Sequence, residues 1–269
     1  MLLPWETPLD KSIQVKLMNM SKYKEFREEC KHEIKQMGED QSLTEITDDW
    51  MNAANNKKYS YHFEWMGRPI IQYPQDIMAM QELIWRIKPD LIIETGIAHG
   101  GSLIYYASLL ELLETTNTVT GGRIVGIDID IREHNREAIE SHPMFKRIEL
   151  IEGSSINDET ICAVKSKIGA AKNIMVVLDS NHTHDHVLKE LELYEEFVSE
   201  GSYLVVFDTV IENMSEDMFD DRPWGIGDNP MTAVKQFLKD RNDFEIDSEI
   251  DNKLLITVAP SGYLRRVRK

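Results

Sequence analysis

The chain of 269 residues carries 30 Lys and Arg against 47 Asp and Glu, a formal net charge of −17 at neutral pH. That balance repels a phosphate backbone and argues against a nucleic-acid partner, while the length suits one large α/β domain with an added segment. Two cysteines, Cys30 and Cys162, lie far apart without CxxC spacing, which argues against a disulfide framework or structural zinc and for a reducing compartment.

Residues 1–12, MLLPWETPLDKS, lack the basic segment and apolar run of a secretory leader. No stretch approaches the roughly 18 apolar residues of a membrane span, so a soluble, cytoplasmic protein with no membrane partner is expected. Residues 1–60 are polar and irregularly patterned, with charged helical material in YKEFREECKHEIKQM and a turn-like NAANNKK. They read as an N-terminal helical appendage that mediates assembly into a homo-oligomer, ahead of a main domain over residues 61–269. Gln72, Tyr73 and Pro74 then open a helix with proline in its first turn. The segment either simply starts that helix or also closes over a ligand, with Tyr73 in contact.

From Pro89 onward, short apolar runs alternate with stretches of helical length, the rhythm of parallel βαβ units in a Rossmann-like α/β fold. The runs are residues 90–96, 122–130, 146–153, 173–180 and 202–209. Between them LIYYASLLELLE, IREHNREAIESH, NDETICAVKSKIG and HDHVLKELELYEEFVSEG place apolar residues at roughly i, i+3, i+4. Gly201 is expected to stop the last of these helices. MTAVKQFLKD is a further helix, and FEIDSEI and KLLITVAP read as two final strands pairing antiparallel at an edge. The basic LRRVRK at 264–269 reads as a solvated tail.

The first strand ends in Glu94, followed by Thr95-Gly96 and then Ile97-Ala98-His99-Gly100-Gly101-Ser102 opening a helix. Glycines at Gly96, Gly100 and Gly101 permit positive φ and close backbone approach, and the helix start, with Ser102 in its first turn, offers free N–H groups. The spacing is not the GxGxxG of a pyrophosphate site. The second strand ends in Asp128, where an open α/β sheet places a carboxylate that accepts from ribose hydroxyls. Glu94 is costly at the tip of an apolar strand unless it meets a donor or a cation. S-adenosylmethionine, with its ammonium and sulfonium, suits that acidic tip.

The segment VVLDSNHTHDHV, residues 176–187, packs three histidines and two aspartates into eight positions. His182-Thr183-His184-Asp185-His186 is one residue short of the HxHxDH pattern of dinuclear hydrolases, and no histidine follows His186. The segment is better read as a strand ending in Asp179, a loop, and a helix capped by Thr183. His184 and His186 then sit unremarkably on its first turn.

Five stretches taken together, WMGRPIIQYPQD, KPDLIIETGIAHGGSLIYYASLL, DSNHTHDHVLKEL, GSYLVVFDT and RPWGIGDNPMTAVKQFL, span residues 60–240. In this order they resemble the S-adenosylmethionine-dependent O-methyltransferases grouped with the cephalosporin hydroxylase and rhamnosyl O-methyltransferase proteins. The resemblance implies a class I methyltransferase fold with a mostly parallel seven-stranded sheet and helices on both faces. It also implies S-adenosylmethionine as methyl donor, a divalent metal, usually Mg²⁺, and a small-molecule alcohol or sugar acceptor. Asp179 and Asp208 fall where the family's carboxylates hold the metal. Similar chains often carry Glu-Asp where this one has Phe207-Asp208, so Thr209 or Glu212 is a substitute ligand. His182, three residues after Asp179, is the expected general base. Ser154 and Ser155 fall where the adenine would lie, unless they form an ordinary polar turn. His99 borders the methionine end of the cofactor or simply packs. Arg222 and Trp224 lie on a loop expected to cover the acceptor, with Trp224 offering a stacking face. Two other readings are a non-catalytic cofactor binder, motivated by Phe207, and a hydroxylase, which needs a redox centre that no two-His-one-carboxylate set or haem cysteine announces.

Overall fold

The run LIIET is buried along its whole length and forms β3 (Leu91–Thr95), the pivot of a seven-stranded sheet. A computed structural model describes residues 11–268, so residues 1–10 of the expected appendage and Lys269 of the basic tail lie outside the described residues. Ahead of the sheet come α1 (Lys11–Glu39), α2 (Gln41–Asn55), a small hairpin of β1 (Phe63–Trp65) and β2 (Arg68–Ile70), and α3 (Pro74–Ile87). After β3 follow α4 (Gly101–Thr115), β4 (Arg123–Asp128), α5 (Glu133–Glu140), β5 (Ile148–Glu152), α6 (Asp158–Ile168) and β6 (Ile174–Leu178). The chain closes with α7 (His184–Tyr194), β7 (Tyr203–Val206), α8 (Pro230–Leu238), β8 (Phe244–Ile246), α9 (Ser248–Leu254) and β9 (Tyr263–Arg266).

The strand order is β5-β4-β3-β6-β7-β9-β8, with β9 antiparallel to both its neighbours and the other neighbouring pairs parallel. Successive residues face opposite sides, as the pleat requires. Ile92, Met175, Val177 and Val205 join α3, α4 and α5 in one apolar cluster, whereas Leu91, Ile93, Val176 and Leu204 join α6, α7 and α8 in the other. Each such side chain contributes about 1.5–3 kcal/mol when fully buried. From β3 the chain builds outward to β4 and β5 on one side, then returns to add β6 and β7 on the other. The carboxyl ends of β3, β4 and β6 therefore face the crevice where open α/β sheets bind ligands. None of the described helices is long and apolar enough to cross a membrane.

The sheet differs from the sequence expectation at its far edge. KLLITVAP is not a strand: α9 runs through Leu254, Leu255 adopts φ 57°, and Thr257 and Val258 are captured by Asp76 of α3. The last strand is β9, drawn from the basic segment read as a solvated tail. Its alternation buries Leu264 and Arg266 while Arg265 faces outward beside Glu245. Arg266 spends its guanidinium on the backbone carbonyls of Glu195 and Val198 and lies over the ring of Phe244. Gly201 does not stop a helix either. α7 ends at Tyr194, whose hydroxyl donates to the Ser155 carbonyl at 2.9 Å, and Gly201 makes the positive-φ turn into β7.

Two buried carboxylates tie helices to this frame. Asp76 accepts from Thr257 Oγ1, from the Val258 amide at 2.9 Å and from the Tyr263 hydroxyl at 2.7 Å, pinning α3 to the far edge. Glu94 finds its donor in Ser102 Oγ at 2.8 Å, fastening the tip of β3 to the first turn of α4. Burial pushes Asp76 up to about 6 and Glu94 up to about 8, against ordinary values of 3.8 and 4.5. α2 also contributes to the main core, since Met51 is buried in the same cluster as Tyr73 and Tyr105.

Replacing Asp76 by Ala leaves three buried donors without an acceptor and is expected to cost about 3 kcal/mol or more, read as a lower denaturant midpoint. A midpoint unchanged from the parent contradicts the anchor. Between pH 4.5 and 8 the folded protein keeps a proton on Glu94 that the unfolded chain has released, so this group's contribution to stability falls as pH rises through that window. Glu94→Gln is accordingly expected to flatten the decline of stability over that range, measured by denaturation at several pH values.

Candidate active site

The glycine loop after β3 is held in place by the protein's own groups. Gly96 has φ +80°, and a Cβ there would stand 2.0 Å from the Asp179 carbonyl oxygen, so the tips of β3 and β6 approach as closely as only glycine allows. Gly101 is pressed against the Pro69 carbonyl of β2, and Gly100, also at positive φ, against Ile139 of α5. One oxygen of Asp128 accepts from the amides of Ile97 at 3.0 Å and Ala98 at 3.3 Å. Arg68 donates to the His99 carbonyl, with Nε at 3.0 Å, and Asn135 Nδ2 donates to the Ala98 carbonyl at 3.1 Å.

Below this loop lies a narrow cleft of about 150 Å³ lined by Gly96, Asp128, Gly153, Ser154, Ser155 and His186, among others. His186 Nε2 lies 3.1 Å from Ser155 Oγ and 3.2 Å from Ser180 Oγ, and Ser180 donates to the fully buried Glu190 at 2.7 Å. The cleft shares Gly96 and Ser180 with a second cavity of about 440 Å³. That cavity is lined by Gln72, Asp179, His182, Asp208, Arg222 and Trp224, among others.

Asp179 directly follows β6 and Asp208 lies two residues beyond β7, so neighbouring parallel strands carry both acids to one edge. Asp208 sits at φ 57°, a left-handed conformation that costs a non-glycine residue about 1 kcal/mol or more. One oxygen each of Asp179 and Asp208 and a ring nitrogen of His182 lie within 4.8 Å of one another. His182 Nε2 is 3.2 Å from Asp208 Oδ2 and 3.9 Å from Asp179 Oδ1, and Gln72 Nε2 donates to Asp179 Oδ2 at 3.2 Å. No lysine or arginine among the described residues pairs with either acid. Burial, reinforced by Asp208, Glu94 and Glu190, pushes Asp179 well above the usual carboxylate range. The Trp224 ring packs 4.7 Å from that of His182, and the Arg222 guanidinium stands 5.5 Å from the indole centroid.

Of the residues singled out in the sequence, Gly96, Asp128, Ser154 and Ser155 meet in the cleft, and Asp179, His182, Asp208, Arg222 and Trp224 meet in the larger cavity. Glu94, His99, Gly100, Gly101, Ser102 and Tyr73 line neither. Glu94 and Ser102 satisfy each other behind the loop, the His99 ring turns to Asn135, and the Tyr73 hydroxyl donates to Asn55 Oδ1 at 2.5 Å. Thr209 is buried with its hydroxyl donating to the Pro260 carbonyl at 2.7 Å, and Glu212 accepts from Gly227 and Asn229, so neither substitute ligand reaches the acids. His182, expected as the general base, turns its Nε2 toward the acid pair. Thr183 stands at the α7 N-cap position without a capping bond of its own; its hydroxyl donates to Asn181, and Asp228 of the covering loop accepts from the His184 amide. His184 bonds Thr232 and Gln236 and ties α7 to α8, as a histidine without a site role would. His186, read as equally plain, lines the cleft. Arg68 and Asn135 belong to no motif, and only the fold reveals that they hold the glycine loop. Asn55, Lys58 and Ser60, within the segment read as an appendage, form part of the larger cavity's wall.

A family model described as Rhamnosyl O-methyltransferase/CmcI matches residues 57–267, a span that includes all seven strands of the sheet and both acids. The rhamnosyl O-methyltransferase of Mycobacterium tuberculosis (strain ATCC 25618 / H37Rv) is 29% identical over 208 residues, covering 75% of this chain and 77% of that protein. Its namesake in Mycobacterium leprae (strain TN) is 27% identical over 208 residues, covering 75% and 82%. A solved structure described as "cmcI-D160 Mg-SAM" superposes with a TM-score of 0.54 at 18% identity, covering 77% of this chain and 78% of that one, which shows a common fold. The chain belongs to the rhamnosyl O-methyltransferase/CmcI family of class I S-adenosylmethionine-dependent O-methyltransferases.

Proposed function

We propose that the protein transfers a methyl group from S-adenosylmethionine to a hydroxyl of a sugar or related small natural product, with a divalent cation at the Asp179–Asp208 pair. The observation that carries this reading is the meeting of two cavities at Gly96 and Ser180, one lined by Asp128, Ser154, Ser155 and His186 and the other holding two adjacent acids. A donor in the first and an acceptor in the second would face each other across that junction. The sugar acceptor is supported by the relatives named rhamnosyl O-methyltransferase, and Mg²⁺ by the similar fold described with Mg-SAM.

The residues present fit both groups. In the cleft, Asp128 retains lone pairs for ribose hydroxyls, and Ser154, Ser155 and His186 surround the place of the base. In the larger cavity, two carboxylates with no described lysine or arginine paired to them stand beside the His182 ring, a donor set that suits a divalent cation. A divalent ion there supplies Lewis acidity that lowers the pKa of the acceptor hydroxyl, and S-adenosylmethionine supplies an electrophilic methyl on a sulfonium leaving group.

The protein's own share is positional. Asp179 and Asp208 fix the acceptor end, the Gly96 turn fixes the donor end, and alignment of oxygen, methyl carbon and sulfur contributes several kcal/mol to lowering the barrier. With donor and acceptor bound, the methyl carbon would bond to oxygen as its bond to sulfur breaks, and the hydroxyl proton would pass to solvent water at the open side of the cavity, where Lys58 and Arg222 are exposed. Trp224 and Arg222 form the wall against which the acceptor ring lies.

Calorimetry is expected to detect S-adenosylmethionine binding, and chelation of divalent cations to stop transfer of labelled methyl to rhamnose-bearing acceptors until a cation is returned. Transfer that persists after chelation contradicts the cation role. Asp208→Asn is expected to lower kcat by about 10²-fold or more with donor affinity retained. Trp224→Ala is expected to raise the acceptor KM while leaving donor binding unchanged, checked by steady-state kinetics beside calorimetry.

A further inference from the structure

We infer that His182 is a ligand of the cation, and that the site therefore selects a first-row transition ion over Mg²⁺. The inference rests on the reading that a divalent cation occupies the acid pair, and it concerns which ion and which third ligand. Two ligands of one ion lie at most about 4.2 Å apart, twice a typical bond of about 2.1 Å. His182 Nε2, at 3.2 Å from Asp208 Oδ2 and 3.9 Å from Asp179 Oδ1, is inside that limit for both acids.

Among the described His, Cys, Asp and Glu side chains, His182 is the one that joins the two acids in such a group. Phe207, just before Asp208, is 2% exposed and packs edge-on to Tyr263, so its ring is part of the core. The Thr209 hydroxyl is committed to Pro260, and the Glu212 carboxylate to Gly227 and Asn229. Gln72 gives an independent sign that the arrangement awaits a partner. It is 6% exposed and lines the same cavity, its Nε2 orients Asp179, and its buried Oε1 has no hydrogen-bond partner among the described residues. An orphaned buried acceptor is costly, and a side chain that keeps one while donating to Asp179 has the outer-shell place of a group that orients a metal carboxylate.

The chemical consequence follows from the donor type. Mg²⁺ dehydrates reluctantly and favours all-oxygen surroundings, whereas an imidazole nitrogen favours the later first-row ions. Two carboxylates and one imidazole thus shift the balance toward Co²⁺ and, less strongly, Mn²⁺. The same lone pair cannot both bind the ion and accept the acceptor's proton, so the ligand role replaces the general-base role for Nε2.

The test is titration of the full-length protein, with S-adenosylmethionine present, by Mg²⁺, Mn²⁺ and Co²⁺ in turn, comparing the parent with His182→Ala and His182→Asp. Circular dichroism establishes that each variant is folded. The parent is expected to bind Co²⁺ at least tenfold more tightly than Mg²⁺. His182→Ala should weaken Co²⁺ by about 10–100-fold and shift its visible absorption, with Mg²⁺ affected much less. His182→Asp should narrow the gap by favouring Mg²⁺. Pulsed electron paramagnetic resonance of the Mn²⁺ form should show coupling to an imidazole nitrogen that His182→Ala removes. If His182→Ala loses methyl transfer while every cation affinity and the nitrogen signal stay as in the parent, His182 is a proton acceptor and the inference is overturned, with the methyl-transfer reading intact. If the parent binds none of the three ions, the cation reading itself fails along with it.

Discussion

Two carboxylates are held side by side at the tips of adjacent parallel strands, and among the described residues no lysine or arginine relieves them. Everything else about the site follows from how the fold sustains that arrangement. The β6–β7 register, with Leu178 opposite Val206, carries Asp179 and Asp208 to the same edge, and the left-handed turn at Asp208 sets the angle of the second acid. Gln72 restrains one acid and His182 touches both. In a protein with a net charge of −17, such a cluster is expensive unless something positive completes it.

The glycine turn makes the second half of the site possible. Its backbone lies against the Asp179 carbonyl, so the cleft beside Asp128 and the acid-bearing cavity share a wall instead of being separated by side chains. Groups remote in sequence keep it there: Arg68 in the hairpin, Asn135 in α5 and Asp128 at the end of β4 all hydrogen-bond its backbone. Glu94 is a support of a different kind, buried behind the loop and satisfied by Ser102.

Much of this was legible in the residues. Strands such as IMVVL and YLVV announce themselves because a parallel strand covered on both faces needs continuous apolar sequence. Asp179, Asp208, Gly96 and Asp128 stand out because each ends or follows such a run. The far edge was hidden for a physical reason. Arg265 and Arg266 mask the strand YLRR, since a buried arginine that caps backbone carbonyls looks in sequence like a solvated one, while the apolar KLLITVAP is diverted by Asp76. The roles of Arg68, Asn135, Gln72 and Asn55 depend on contacts between distant segments. His186 was legible as a helix residue but not as a wall of the cleft, because periodicity does not say what a helix faces.

The account is tested most directly by anomalous diffraction from a crystal grown with S-adenosylmethionine and Co²⁺. It predicts one strong anomalous peak in contact with Asp179 and Asp208, with the donor's methyl directed from the Gly96 turn toward the larger cavity. A structure with the donor bound and no metal between those acids, or with the nucleoside seated away from the Gly96 turn, would contradict it.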